Sequence, residues 1–217
     1  MSGTEASLVP IAPKEDVLSL TAIVGTNGSG KTTYLKGLYA ELKKAESDKR
    51  VVFLNDNPII PIELPAQRLI ESVGVIKGLQ QQEARRRAIQ LCSGLMIKDS
   101  SSMPVMHYSA GNYKKTALAI TLIKRPDYLL MDEPLEAVDP ISRSRIIKYF
   151  ENMSKTSIYI STQDLELAMR AKEVLIFKDL KPIAQGKPGD ILGNSPFQRF
   201  NELSGISNHA ETFRWLT

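Results

Sequence analysis

The chain has 217 residues, of which 42% are hydrophobic and 24% charged, close to ordinary soluble usage and enough for one domain, or a core with one inserted subdomain. A net charge of +4 is a modest excess that suits solubility better than it argues for nucleic acid or an anionic surface. The single cysteine, Cys92, excludes an internal disulfide; residues 1–16 carry no secretion signal; and apolar runs such as 116–123 stop at Lys124 and Arg125, short of a membrane span.

Residues 1–16, with Pro10 and Pro13, read as a loose arm or an edge strand. The apolar run 18–24 ends in glycine and predicts a buried strand. Residues 31–44 place Leu35, Leu38, Tyr39 and Leu42 at helical spacing. A second short strand is expected at 51–54, then a proline-rich loop at 55–65. Residues 66–95 are helical in pattern, 99–104 a polar break, and 110–124 a further helix. Three more strands are expected at 128–131, 157–161 and 174–177, separated by helices at 142–153 and 165–171. Strands alternating with helices predict an α/β fold with a mostly parallel sheet covered on both faces.

Residues 25–32, GTNGSGKT, match G-x-x-x-x-G-K-[ST] directly after a strand and opening a helix. Glycines there let the backbone wrap a phosphate, with successive N–H groups and the helix dipole facing negative charge. Gly25, Thr26, Asn27, Gly28, Ser29, Gly30, Lys31, Thr32 and Thr33 are therefore the candidate nucleotide-binding residues. Lys31 would reach the β- and γ-phosphates and the Thr32 hydroxyl would ligate Mg2+. The strand 128–131 runs into Asp132 and Glu133, a carboxylate for the metal shell followed by one placed to polarise the attacking water.

Tyr108-Ser109-Ala110-Gly111-Asn112 opens a helix that leads into this acidic strand. The run 108–139, YSAGNYKKTALAITLIKRPDYLLMDEPLEAVD, resembles the signature, helix, Walker B strand and D-loop of an ATP-binding cassette (ABC) protein. Ser161-Thr162-Gln163-Asp164 resembles the switch region of that family, and residues 171–192 its closing strands. The resemblance, over about residues 18–192, implies a P-loop NTPase core with an inserted helical subdomain. That division puts the core at 17–60 and 115–192, the helical subdomain at about 61–114, and a tail at 193–217. It implies an ATPase with ATP and Mg2+ that works as a homodimer or cassette heterodimer. Ser109 and Gly111 of one copy would face the γ-phosphate held by the other, with Asp139 near the seam. Lys31, Glu133 and Gln163 would be catalytic, and Thr32, Asp132 and Asp56 metal-binding.

Four departures qualify the likeness. Gln163 replaces the switch histidine; its amide can donate to a phosphate but cannot titrate near neutrality. Asp56, or alternatively Asn55, stands where the family has its Q-loop glutamine. Residues 1–24 contain no aromatic side chain to stack on a base, which predicts relaxed choice between ATP and GTP. The stretch 33–51 is too short for the family's usual hairpin, so the antiparallel β subdomain is expected to be reduced.

The leading functional expectation is an ABC transporter ATP-binding subunit that powers a separate membrane permease from the cytoplasmic side. The apolar loop Pro58-Ile59-Ile60-Pro61-Ile62 lies where the resemblance places the permease groove; the alternative is that these isoleucines pack inward beneath the helices. A soluble cassette acting on an assembly or nucleic-acid machine is the runner-up, and a hydrolysis-deficient regulatory cassette the third. Nucleic acid is disfavoured because Arg85-Arg86-Arg87 is the only basic cluster. The tail 194–217, with Phe197, Phe200, Phe213 and Trp215, is expected to dock as a helix.

Overall fold

The computed structural model describes residues 20–205; the arm at 1–16 and the tail aromatics Phe213 and Trp215 lie outside them. In chain order the elements are β1 Leu20–Gly25, α1 Lys31–Ala45, β2 Val51–Leu54, α2 Ala66–Ile76, α3 Gln81–Gly94 and α4 Ala110–Leu122. There follow β3 Tyr128–Asp132, α5 Pro140–Glu151, β4 Ser157–Thr162, α6 Leu165–Arg170, β5 Glu173–Lys178, β6 Lys181–Gly186, α7 Pro188–Leu192 and α8 Pro196–Ser204.

The six strands form one sheet in the order β2-β3-β4-β1-β5-β6. All neighbours run parallel except β5 and β6, the only antiparallel pair among the described residues. Every residue of β1 and β4 is buried, as expected for central parallel strands with both faces covered. Successive side chains part to the two faces. Ile23, Leu130, Tyr159, Leu175 and Phe177 pack with Leu35, Leu38 and Leu42 of α1. Ala22, Val24, Leu129, Met131, Ile158 and Ile160 pack on the other side with residues of α2, α3 and α4. Register then sets the site: Asp132 is level with Ser161 on β4, and Ser161 with Ile23 on β1. The carboxyl ends of three strands therefore meet at one edge, where open α/β sheets bind their ligands.

The helical stretch 66–95 is two helices rather than one. Gly78, at φ 87°, turns the chain in the left-handed region open to glycine, and α2 packs back on α3. At Gly74 a Cβ would lie 3.0 Å from both Ala84 and Ile123, so the helices approach through a glycine.

Two elements are absent from the apolar pattern: β6, which falls in the 171–192 stretch likened to closing strands, and the short helix α7. Strand β6 is a mostly exposed edge, joined to β5 through Asp179 and Leu180 at φ 48° and 65°, a two-residue turn of the type that matches strand twist. Helix α8 falls within the tail 194–217, in keeping with the helix expected there: Phe200 packs against the core, whereas Phe197 is exposed.

Candidate functional site

At the end of β1 the chain turns tightly, Ser29 N–H donating to the Thr26 carbonyl at 3.2 Å. A Cβ on Gly25 would meet the Ser29 hydroxyl and lie 2.7 Å from the Phe177 carbonyl oxygen. Gly30 has φ 102°, and a Cβ there would be 2.9 Å from Leu180 Cα. The β5–β6 hairpin tip thus braces the loop from behind, and Leu180 N–H also donates to the Ser29 carbonyl at 3.0 Å. Thr26, Asn27 and Gly28 form an exposed crest, and Thr32 and Thr33 are exposed on the first turn of α1. Lys31 is buried; its ammonium donates to the carbonyls of Gly25 and Thr26 at 2.8 and 3.1 Å.

Strand β3 brings the acidic pair to the same place. Asp132 is buried; its Oδ2 accepts from Thr32 Oγ1 at 2.8 Å and its Oδ1 from Ser161 Oγ at 2.5 Å. Ser161 in turn accepts from Glu133 N–H at 3.0 Å, so one hydroxyl orients both acidic residues. That role was not legible in the sequence, because it depends on the β3–β4 register. Glu133 takes φ 42°, a left-handed conformation that costs a non-glycine residue about 1–2 kcal/mol and persists only where the surroundings hold it. Its Oε1 is buried without a hydrogen bond and lies 3.6 Å from the Lys31 ammonium. Burial pushes the Glu133 carboxyl above the usual carboxylate range, with Lys31 opposing the shift. Gln163, on the loop after β4, donates from Nε2 to Asn27 Oδ1 at 3.0 Å. Gly25, Thr26, Glu133 and Gln163 line one cleft of about 1070 Å³, which continues to Arg143 and Phe200.

The remaining candidates stand elsewhere. Ser109 caps α4, accepting from Asn112 N–H at 3.3 Å. Gly111 abuts the next loop so closely that a Cβ would be 2.6 Å from the Ala137 carbonyl oxygen. Asp139 caps α5 through Ser142 N–H at 2.9 Å. Ser109, Gly111 and Asp139 line a separate cleft of about 530 Å³, which shares no lining residue with the first. The Asp56 carboxylate accepts from Lys114 Nζ at 2.7 Å and from Asn57 at 3.0 Å. Among the described residues no hydrogen bond joins it to Thr32 or Asp132.

A parallel sheet whose first strand runs through a glycine loop onto a helix end, with a lysine at the loop and an Asp–Glu pair at the end of β3, one strand removed across β4, defines a P-loop nucleoside-triphosphatase. The chain belongs to the ABC transporter family, whose sequence pattern matches residues 18–136, more than half of its length. It is accordingly a nucleotide-binding ATPase. It is 26% identical over 198 residues to the energy-coupling factor transporter ATP-binding protein EcfA of Methanocaldococcus jannaschii, covering 81% of this chain and 71% of that protein. Its fold is shared with cbiO1 of Clostridium perfringens, part of the ABC transporter complex cbiONQ, at TM-score 0.68 and 23% identity over 85% of this chain and 83% of that one. It is likewise shared with MJ0796, a bacterial ABC transporter cassette solved as a dimer, at TM-score 0.67 and 20% identity over 78% and 85%.

Proposed function

We propose that this chain is the ATP-hydrolysing subunit of a membrane transporter whose permease is a separate polypeptide, held at the cytoplasmic face by that permease. The observation that carries the ATPase chemistry is the convergence of Lys31, Thr32, Asp132, Glu133 and Gln163 on the glycine loop. The oxygens of Thr32 and Asp132 are hard donors of the kind Mg2+ takes, usually with phosphate oxygens and water completing its shell. The donor set therefore fits that ion, and when bound it neutralises charge on the phosphates. The backbone N–H groups of the loop cradle the β-phosphate and the Lys31 ammonium faces the β- and γ-phosphates. Glu133 takes the proton of the water that attacks the γ-phosphorus as the bond to the bridging oxygen breaks, and Gln163 donates from its amide to the transferred group.

The second cleft supports a dimer. Ser109 and the first turn of α4 form a helix N-terminus suited to an anion, but no phosphate loop of the same chain faces it. In a face-to-face pair, Ser109 and Gly111 of one copy meet the γ-phosphate bound by the other, with Asp139 at the seam. Two cassettes, identical or related, would close on two nucleotides.

Coupling to a permease draws on the loop after β2. Ile60 packs into the core, its N–H accepted by Tyr113 Oη at 3.3 Å, as the inward reading expects. Ile59 is 98% exposed, and Ile62, Leu64, Met103 and Met106 are exposed too. The backbones of this stretch are stitched together, Met106 N–H donating to the Ile62 carbonyl at 2.9 Å and Val105 N–H to the Leu64 carbonyl at 3.1 Å. This apolar patch suits an amphipathic partner helix. The basic cluster favours no nucleic-acid reading: Arg86 and Arg87 both pair with Glu83 on their own helix. Affinity capture from a detergent extract tests the proposal. A co-purifying integral membrane protein, lost with Ile59→Glu, is the expected result; nucleic acid or soluble partners alone would overturn it.

A further inference from the structure

Lys114 lies two residues beyond the signature segment, on α4, with a side chain only 12% exposed. A lysine ammonium has three donors, and here it meets three acceptors: Asp56 Oδ1 at 2.7 Å, the Glu133 carbonyl at 3.2 Å and Glu136 Oε2 at 3.4 Å. They belong to three places: the loop after β2, the residue that follows β3, and the loop entering α5.

The contact to Glu133 has the clearest consequence. A glutamate at φ 42° persists only where its surroundings hold it. Three hydrogen bonds do so: the Ser161 hydroxyl accepts its N–H, and its carbonyl accepts from the Lys114 ammonium at 3.2 Å and from the Glu136 N–H at 3.3 Å. Of the two on the carbonyl, the ammonium is the one that comes from another element. Between its N–H and its carbonyl the backbone sets where the Glu133 carboxylate lies. The other contact redefines Asp56. One of its oxygens accepts from Lys114 and the other from Asn57, and the lysine is its one cationic partner among the described residues. Asp56 also opens the loop that carries Ile59. Without the ammonium, Asp56 and Glu136 would be left as unneutralised carboxylates beside the end of β3.

We propose that Lys114 is a positioning residue for Glu133, and that the Asp56–Lys114 ion pair, rather than a direct metal contact by Asp56, links the 55–65 loop to hydrolysis. The inference rests on Glu133 as the base of the reaction. Lys114 touches no substrate; it acts by holding the turn from which Glu133 works.

The test uses the full chain with Lys114→Met, Lys114→Arg, Asp56→Asn and the Asp56→Asn/Lys114→Met double variant. Steady-state ATP hydrolysis is measured alongside amide hydrogen exchange of residues 133–138 in nucleotide-free protein. Lys114→Met lowers kcat about tenfold with KM within about twofold, a fraction of the 10²–10⁴ that a placed base supplies. Lys114→Arg retains most of the rate. Asp56→Asn costs less than Lys114→Met, and the double variant is no slower than Lys114→Met alone, as expected for coupled residues. Exchange at 133–138 rises in Lys114→Met. An unchanged kcat, a change in KM alone, multiplicative losses in the double variant or unchanged exchange would each overturn the proposal. Should Lys114→Met not fold, Asp56→Asn must by itself raise the exchange and lower kcat, and its failure to do so counts against the proposal equally. A wild-type chain with no ATPase activity would instead strike the functional reading, while the exchange comparison would still decide the role of Lys114.

Discussion

The first turns of α1 and α4 are both helix N-termini entered through small residues, yet they are completed to different degrees. At α1 the chain gathers the Lys31 ammonium, the oxygens of Thr32 and Asp132 and the Glu133 carboxylate, tied together by hydrogen bonds and a close ion pair. At α4 the Ser109 hydroxyl caps its own helix, and the neighbouring Lys115 is directed elsewhere. Its buried ammonium donates to the Met96 carbonyl at 2.8 Å and the Ser142 hydroxyl at 3.3 Å, and lies 3.8 Å from Asp139. One helix end has a lysine, a threonine hydroxyl and two carboxylates drawn to it; the other is capped by its own serine, with Lys115 turned to the Met96 carbonyl and the Ser142 hydroxyl. The contrast teaches that the groups for nucleotide capture gather in one chain, whereas on the proposed reading the second site would take a ligand only from another cassette.

Removing the base breaks the comparison most severely. Glu133→Gln keeps the shape but cannot accept a proton, so turnover should fall by about 10²–10⁴ while nucleotide binding persists. Nucleotide-saturated Glu133→Gln should then accumulate as a dimer in light scattering; a strictly monomeric protein, alone and with its permease, would remove the second site from the mechanism.

A carboxylate at the open helix end sharpens the contrast. Ser109→Glu places negative charge where a second copy's triphosphate would dock, and turnover should drop about tenfold or more through loss of a charge-assisted contact. Binding of a fluorescent nucleotide to the monomer should stay within about twofold, because α1 and its loop are untouched. Equal losses in both assays would mean that the two helix ends are not independent.

The smallest effect concerns pH. Gln163 stands where the family resemblance expects a histidine, so the rate should show no single-proton inflection from a switch residue between about pH 6 and 7.5. Gln163→His should introduce one, with activity changing as the imidazole loses its proton on raising the pH through that window. A steep inflection in the unmodified chain that disappears when Gln163 is changed would contradict this assignment.

Much of the architecture was legible because parallel strands buried on both faces read as short apolar runs, and β1, β2, β3, β4 and β5 lie at or within two residues of where those runs predict. The failures have local causes. The pattern over 66–95 hid a break because a single left-handed glycine, Gly78, interrupts it without changing the apolar spacing. Strand β6 escaped because an exposed edge need not alternate, and its Asp179-Leu180 turn lacks the usual glycine. In the site, GTNGSGKT and the Asp132–Glu133 pair could be read because each is contiguous. Ser161 and Leu180 could not, since the first acts through strand register and the second through a hairpin packed behind the loop.

From the order of residues alone come the buried strands, the phosphate loop at the head of α1, the acidic pair and the likeness to ABC cassettes, all set by neighbours within a few positions along the chain. Tertiary structure alone decided that Thr32 meets Asp132 across 100 residues and that Asp56 is held by Lys114 across 58. It also decided that Ile60 packs inward while Ile59 faces outward. Each of those outcomes depends on which strands pair and in what register, and that is fixed by burial of the whole sheet rather than by any local segment.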